Sequence, residues 1–514
     1  MTAIIDSDQT PLREAPDSAI ASNPFLAMPR AAVWAFILFG VLYTLVVCSV
    51  ALFRATEAGI SMVWVSLSSA WLLFWVFYPL LFYKPTYGWC HPLILPALLS
   101  IANLVIRNTG MFIGGLPEHV MLPDWFPDDL NKLYAYANFV SSLALIATYV
   151  GFAAGVRLPM PNLRPPATPG RRFYIVLLAA VSLSLAAFYF YGQVFGGLGN
   201  HLKSLAYGMS KKIELANNLD GIGQYTVLMN VATVATIVWV CTEANALRNP
   251  LFWLAAACSL ALAYMSEGKR SSMIYPGILI MLCWMLRNKR VPYLRLAGVG
   301  VAAFLLIGLL GLFRSSNWTD KESLNLDVFQ ETSISEIGSK SMEEISRRSG
   351  SEYTYFPILA KVPSQEPLLF GKSYLEWGLR FVPRELWPDK PRGVDVQANL
   401  AFYGADWGLP PGPVGEAYWN FHIPGVLGVF FLIGVFKRWL GALLVRYPNA
   451  PAVMGLYMIS LVYFDGSQNG FRIWVYSVIP AFVLLKLGGL IGGRRLRHSF
   501  TEPSIDSRTN AASA

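Results

Sequence analysis

Apolar runs recur along the chain from Ala31 to Gly493, separated mostly by short polar or basic segments. A helix that crosses the hydrocarbon core of a bilayer needs about 20 apolar residues. The pattern predicts helices at 31–53, 61–83, 92–106, 132–156, 173–196, 222–241, 251–266, 271–287, 296–313, 424–440, 449–464 and 473–491, twelve in all. The expected fold is an all-α, polytopic integral membrane protein with the lipid bilayer as its first partner. Helices follow because backbone in lipid must satisfy its own hydrogen bonds. The alternating segments of roughly ten residues that mark a membrane barrel are absent. Ala31–Phe53 is too long for the apolar core of a signal peptide and lacks a small-residue cleavage site, so it should stay as a membrane helix.

The pattern divides the chain into five parts. A polar tail, expected to be disordered, covers 1–29, and helices one to nine occupy 30–313. A large loop covers 314–423, helices ten to twelve occupy 424–491, and a second tail covers 492–514. No internal repeat is evident.

Charge gives the orientation. The 514 residues are 55% hydrophobic and 14% charged, where soluble domains carry nearer a quarter charged residues. The net charge is +9, but the loop 314–423 holds 11 Lys and Arg against 15 Asp and Glu. The excess of positive charge therefore lies in the short loops and tails. Arg157, Arg164, Arg171 and Arg172 mark one cytoplasmic loop, and Arg287, Lys289, Arg290 and Arg295 another. Lys437, Arg438 and Arg446 mark a third, and Arg494, Arg495 and Arg497 begin the C-terminal tail. The positive-inside rule then places both termini in the cytoplasm and the large loop outside. A basic balance of this kind does not indicate nucleic acid. The five cysteines lie in or beside apolar runs or in a short loop, so no disulfide framework or paired-cysteine metal site is suggested.

The outer loop is too long to be a mere connector. Ile334, Ile337, Met342 and Ile345 are spaced to form an apolar stripe. That helix would either rest on the membrane surface or pack on the bundle. From Phe356 onward prolines predict short helices and ordered turns.

Three constellations could carry chemistry. Ser266-Glu267-Gly268-Lys269-Arg270 puts two cations in a tight outer hairpin. They are either anchors that reach for the interface or a diphosphate-binding element with Gly268 allowing close approach. Arg380, Arg384, Lys390 and Arg392 lie among Trp, Pro and Gly, with Trp387 between them. Arginine forks match phosphate oxygens and lysine adds a point charge. The alternative is a rigid loop of self-paired ions. Glu416, Tyr418, Asn420 and His422 follow in the third constellation, Gly412 to His422. A carboxylate there suits general-base duty, His422 could serve instead, and a re-entrant turn is the structural alternative. Asp465, Gln468, Asn469 and Arg472 fill the last outer loop, and Arg107 and Arg314 end earlier helices. Fixed cations, aromatic platforms and a carboxylate suit a lipid-linked, diphosphate-bearing sugar. No metal cluster or nucleotide fingerprint appears, so neither a metal nor an organic cofactor is expected.

Several of these runs resemble the Wzy-type oligosaccharide repeat unit polymerases, the O-antigen and exopolysaccharide polymerases. They are Tyr353 through Pro363, Leu368–Gly371, Tyr374, Phe381–Arg384, Leu386–Pro391 and Pro413–Phe421. Ser266–Ser271 is similar to a short basic element of that family. The remainder matches in architecture only, and His422 stands where a glycine is expected in related sequences.

The resemblance implies a fold like the class C glycosyltransferases in the bacterial inner membrane. It implies an undecaprenyl-diphosphate-linked oligosaccharide as substrate, with a chain-length regulator as a candidate partner. In that reading Arg270, Arg384, Lys390 and Arg392 hold the diphosphate, helped by Lys269 and Arg380. Glu416 is the base, and Trp387, Tyr418, Asn420 and His422 meet sugar. The alternatives are a ligase that moves the glycan to another acceptor, a lipid-linked oligosaccharide transporter and a non-catalytic scaffold. A transporter would be expected to carry balanced, charge-lined halves.

Overall fold

The computed structural model describes residues 25–58, 61–82, 88–100, 130–163, 167–206, 222–268, 271–316, 333–346, 352–379, 387, 391–404, 408 and 410–491. Among these residues the protein is helical, with one isolated bridge between Ala27 and Gly88. The helices are α1 (Arg30–Ala58), α2 (Ser61–Phe82), α3 (Leu130–Ala153), α4 (Arg171–Val194), α5 (Leu198–Ala206), α6 (Ile222–Thr242), α7 (Pro250–Glu267) and α8 (Ser271–Asn288). They continue as α9 (Tyr293–Ser316), α10 (Ile334–Ser346), α11 (Glu352–Lys361), α12 (Lys372–Leu379), α13 (Val394–Tyr403), α14 (Gly412–Arg446), α15 (Pro451–Tyr463) and α16 (Gln468–Leu487).

Seven of the described helices are long and apolar enough to cross a membrane: α1, α2, α3, α4, α6, α14 and α16. Shorter apolar stretches lie in α7, α9 and α15. The protein is thus an α-helical membrane protein, although the described residues carry fewer long spans than the twelve expected. The expected helix 92–106 is a turn at 92–93 and helical over 94–100, and 101–106 lie outside the described residues.

Which helices face lipid follows from their side chains. α1 leaves Leu38, Leu42, Leu45 and Phe53 exposed, and α4 leaves Ile175, Leu178, Tyr189 and Phe190 exposed. By contrast α6 is apolar all round and sits at the hub, with Val234, Val238, Trp239 and Cys241 buried. The main core gathers α4, α6, α7, α8, α15 and α16 around Trp239, Tyr191, Phe252 and Tyr457. A second core joins α3, α11, α13 and the first part of α14 through Tyr134, Phe356, Phe402, Tyr418 and Trp419. Buried polar groups pair across helices: Asn138 of α3 donates to Ser68 and Ser69 of α2 at 3.2 and 3.1 Å.

The loops sort to two ends. At one, Tyr447 donates to the Pro161 carbonyl at 3.0 Å, and Arg287 donates to the Thr242 carbonyl at 3.3 Å. At the other lie α11, α12 and α13. α10 packs along α9, where Ser341 donates to the Phe304 carbonyl at 2.7 Å. The amphipathic helix of the large loop therefore packs on α9.

α14 is two arms. Phe421 (φ −143°, ψ 21°) and His422 (φ 57°, ψ −147°) break it. A Cβ placed on Gly425 would come within 2.3 Å of the Ala417 carbonyl oxygen. The arms therefore touch just beside the break, and only glycine fits there. The expected start of a span at 424 coincides with the second arm. The first arm, from Gly412 to Asn420, is one of the short helices expected beyond Phe356 within the large loop. Pro413 explains this, because proline is well placed in a helix's first turn.

Candidate functional site

The two sequence runs Leu368–Gly371 and Pro413–Phe421 are stitched together. The N–H of Leu369 donates to the Trp419 carbonyl at 3.0 Å, and that of Phe370 donates to the Asn420 carbonyl at 3.1 Å. These carbonyls end the first arm and have no helical donor once the chain breaks. Gly371 N–H donates to Asn420 Oδ1 at 2.9 Å, and Asn420 Nδ2 donates to Ser373 Oγ and to the Glu416 carbonyl, both at 2.8 Å. Asn420 is fully buried, and its side-chain hydrogen bonds serve this junction.

Glu416 lies one turn back on the same face and is also fully buried. Its Oε1 accepts from Ser373 Oγ at 2.7 Å and from Trp377 Nε1 at 3.1 Å, both on α12. Its Oε2 accepts from the backbone N–H of Gln468 at 2.7 Å. Gln468 is the first residue of α16, so the carboxylate also meets the positive end of that helix. One side chain therefore ties α12, α14 and α16 together. Trp377 is fixed further by stacking on Phe471, with ring centroids 4.7 Å apart.

A small cleft opens beside Glu416. It is lined by Val394, Asp395, Pro410, Pro411, Ser467, Gln468 and Asn469. Gln468 Oε1 accepts from Val394 N–H at 3.0 Å, which docks the start of α13 on the start of α16. Arg472 follows on α16 and donates to Asn469 Oδ1 at 2.6 Å.

The turn before α16 carries a second carboxylate. Asp465 Oδ1 accepts from the N–H and the hydroxyl of Ser467 at 2.9 and 2.8 Å. Ser467 Oγ in turn caps the helix by accepting from Gly470 N–H at 3.0 Å. α15 has only 13 residues, about 20 Å of helix, short of a full span. The turn therefore ends against the flank of α14's second arm, where a Cβ on Gly466 would come within 2.5 Å of Ile433. Asp465 is itself exposed, yet the surrounding bundle withdraws water and pushes its carboxyl up. The Ser467 donors and the charge of Lys437 pull it partly back. Burial, then the Glu416 and Asp465 carboxylates, push the Tyr374 phenol up, so it stays protonated.

The residues singled out in the sequence divide in space. Glu416 and Asn420 face α12 and α16. Tyr418 and His422 face the other way, toward α3: Tyr418 OH is 2.6 Å from His422 Nε2 and 3.2 Å from Tyr136 OH. The two candidate bases, Glu416 and His422, therefore do not share a pocket. Arg392 is exposed just ahead of α13, and its carbonyl accepts from Gln397. Trp387 is half-buried and makes no hydrogen bond or ring contact among the described residues. Lys269, Arg270, Arg380, Arg384 and Lys390 lie outside the described residues, as do Arg107 and Trp407. The described part of the basic hairpin ends at Gly268, which caps α7 in the left-handed conformation at φ 68°. Ser373 was not legible as a site residue in its own right, since only its contact with the first arm makes it one.

Comparison with known protein families, curated proteins and solved structures finds no match.

Proposed function

We propose that the chain polymerises undecaprenyl-diphosphate-linked oligosaccharide repeat units into a surface polysaccharide and releases undecaprenyl diphosphate. One observation carries the reading. The two runs whose residues resemble the polymerase family come together around one buried carboxylate, through the Leu369–Trp419, Phe370–Asn420 and Ser373–Glu416 hydrogen bonds. A loop that served only as a connector would have no need of this junction.

In this reading twelve spans place both termini in the cytoplasm and the site on the outer face of the bacterial inner membrane, with a class C glycosyltransferase-like fold. The acceptor hydroxyl oxygen attacks the anomeric carbon of the growing glycan, and the anomeric C–O bond to the diphosphate breaks. The electron pair leaves with the diphosphate, and the hydroxyl proton passes to a carboxylate of the site, Glu416 being the one the motif points to. Arg270, Arg384, Lys390 and Arg392, with Lys269 and Arg380, stabilise the departing charge, which counts for most in a water-poor site. Trp387, Tyr418 and His422 contact sugar, whereas Asn420, expected with them, is spent on the junction with Gly371 and Ser373. A diphosphate leaves readily, so the reaction calls for neither strong acid catalysis nor a metal.

The test is a gel of lipid-linked and surface glycans from a deletion strain, complemented with wild type and with Arg384→Ala, at matched membrane levels. Single repeats in the deletion, with long polymer restored by wild type only, support the polymerase. Unattached long polymer identifies a ligase. Lipid-linked units trapped on the cytoplasmic side identify a transporter. Unchanged polymer in the deletion overturns the reading.

A further inference from the structure

Within the site, the carboxylates of Glu416 and Asp465 differ in what they have left to offer. Both oxygens of Glu416, which lines the cleft, are occupied by three donors from inside the protein. A base needs a lone pair that a substrate can reach. Asp465 is exposed and uses only Oδ1, which is held by Ser467. The carboxylate is thus oriented through Oδ1, while no side chain among the described residues bonds Oδ2.

A third group lies in the same neighbourhood, because Trp377 of α12 stacks on Phe471 of α16 and the Asp465 charge bears on the Tyr374 phenol. Tyr374 follows Ser373 on α12 and meets Trp377 edge-on, with centroids 5.1 Å apart. Its hydroxyl is buried and makes no hydrogen bond among the described residues. Buried hydroxyls are rarely left unpaired, and an exception marks a place that a ligand or water completes. A sugar hydroxyl both donates and accepts. It can give its proton to a free carboxylate oxygen while accepting from a phenol.

We propose that Asp465 takes the proton of the acceptor hydroxyl, that Tyr374 donates a hydrogen bond to that same oxygen, and that Glu416 is a positioning residue. The inference rests on the polymerase reading. The acceptor O–H bond breaks toward Asp465 Oδ2, the acceptor oxygen bonds to the anomeric carbon, and the diphosphate leaves with the electron pair of the broken C–O bond. Glu416 acts at a distance by fixing α12, which carries Tyr374, against α16, which follows Asp465.

The test measures polymerisation rate per folded molecule for Asp465→Asn, Tyr374→Phe and Glu416→Gln in the deletion strain. Asp465→Asn keeps the oxygen that accepts from Ser467. It should lower the rate about 100- to 10,000-fold, the usual range for losing a positioned base, with lipid-linked donor still bound. Tyr374→Phe removes only an unpaired hydroxyl, so the fold should stand, and the rate should drop about tenfold, one hydrogen bond's worth. Glu416→Gln should mainly lower the thermal midpoint and the amount of folded protein. It should keep far more rate per folded molecule than Asp465→Asn. Wild-type rates from both Asp465→Asn and Tyr374→Phe, in a strain where deletion still yields single repeats, overturn this inference and leave the polymerase standing. A deletion that leaves polymer unchanged overturns the polymerase reading itself.

Discussion

Replacing Glu416 by alanine removes the one acceptor shared by three helices. Ser373, Trp377 and Gln468 all donate to it from inside the protein. An orphaned buried donor costs about 1–3 kcal/mol. The Ser373 hydroxyl can turn elsewhere, but the Trp377 ring N–H and the Gln468 backbone N–H cannot. Two orphaned donors set the expected loss at about 2–6 kcal/mol. The negative charge at the start of α16 adds about 0.3–1 kcal/mol. Glutamine is a sharper probe. Its carbonyl oxygen can still accept from Ser373 and Trp377, while its amide meets the Gln468 N–H donor to donor. One orphan remains, so Glu416→Gln should cost about half as much as Glu416→Ala. The assay is thermal unfolding of the purified protein, together with limited trypsin digestion at the exposed Lys372 that opens α12. Wild type should be most resistant, then Gln, then Ala. Equal midpoints and equal cleavage would refute the claim that this carboxylate holds α12, α14 and α16 together.

Three further outcomes follow from particular contacts. Gly425→Ala forces a Cβ to within 2.3 Å of the Ala417 carbonyl and should cost about 1–3 kcal/mol or more, because backbone is on both sides; normal yield and midpoint would disprove the tight V of α14. His91 is buried, which lowers its pKa to about 3, against about 6.5 in an unfolded chain. The native state therefore holds it neutral, and stability should be intact above about pH 6.5 and fall by up to about 1.4 kcal/mol per pH unit below it; His91→Asn should flatten that part of the profile, measured as thermal midpoint from neutral to acid. Ser467→Ala removes the cap of α16 and the anchor of Asp465, so it should cost about 1 kcal/mol and slow polymer formation more than that loss of stability explains.

The spans were legible because lipid makes a severe filter. The run predicted at 61–83 forms α2 over Ser61–Phe82, and that at 222–241 forms α6 over Ile222–Thr242. Apolar length decides both ends there, because nothing else can hold a bare backbone in hydrocarbon. Other boundaries moved for local reasons. The last helix was expected from 473 and starts at Gln468, because Ser467 supplies an N-cap that hydropathy does not see. The first arm of α14, one of the short helices expected in the large loop, accommodates Gly412, Pro413 and Gly415. A proline in the first turn costs a helix nothing, and Gly415 gives room for the Tyr355 ring, which would lie 3.2 Å from a Cβ there.

The site was legible in one respect and hidden in another, and the reason is physical. Glu416, Asn420, Tyr418 and His422 stood out as polar residues crowded into a few positions, and helical spacing then divides them. Positions 416 and 420 share one face, and 418 and 422 share the opposite one. Once the segment is known to be helical, the sequence alone separates the cleft-facing pair from the pair that meets α3. What periodicity cannot supply is the partner at long range. Gln468 reaches Glu416 across fifty-two positions, and Ser373 across forty-three. Those contacts occupy both Glu416 oxygens, while among the described residues Asp465 is held through Oδ1 alone. The sequence points to the carboxylate that is most conspicuous, and packing decides which carboxylate is free to react. If Asp465→Asn stops polymer growth while Glu416→Gln chiefly loosens the fold, the difference between those roles is a consequence of hydrogen-bond saturation, not of residue type.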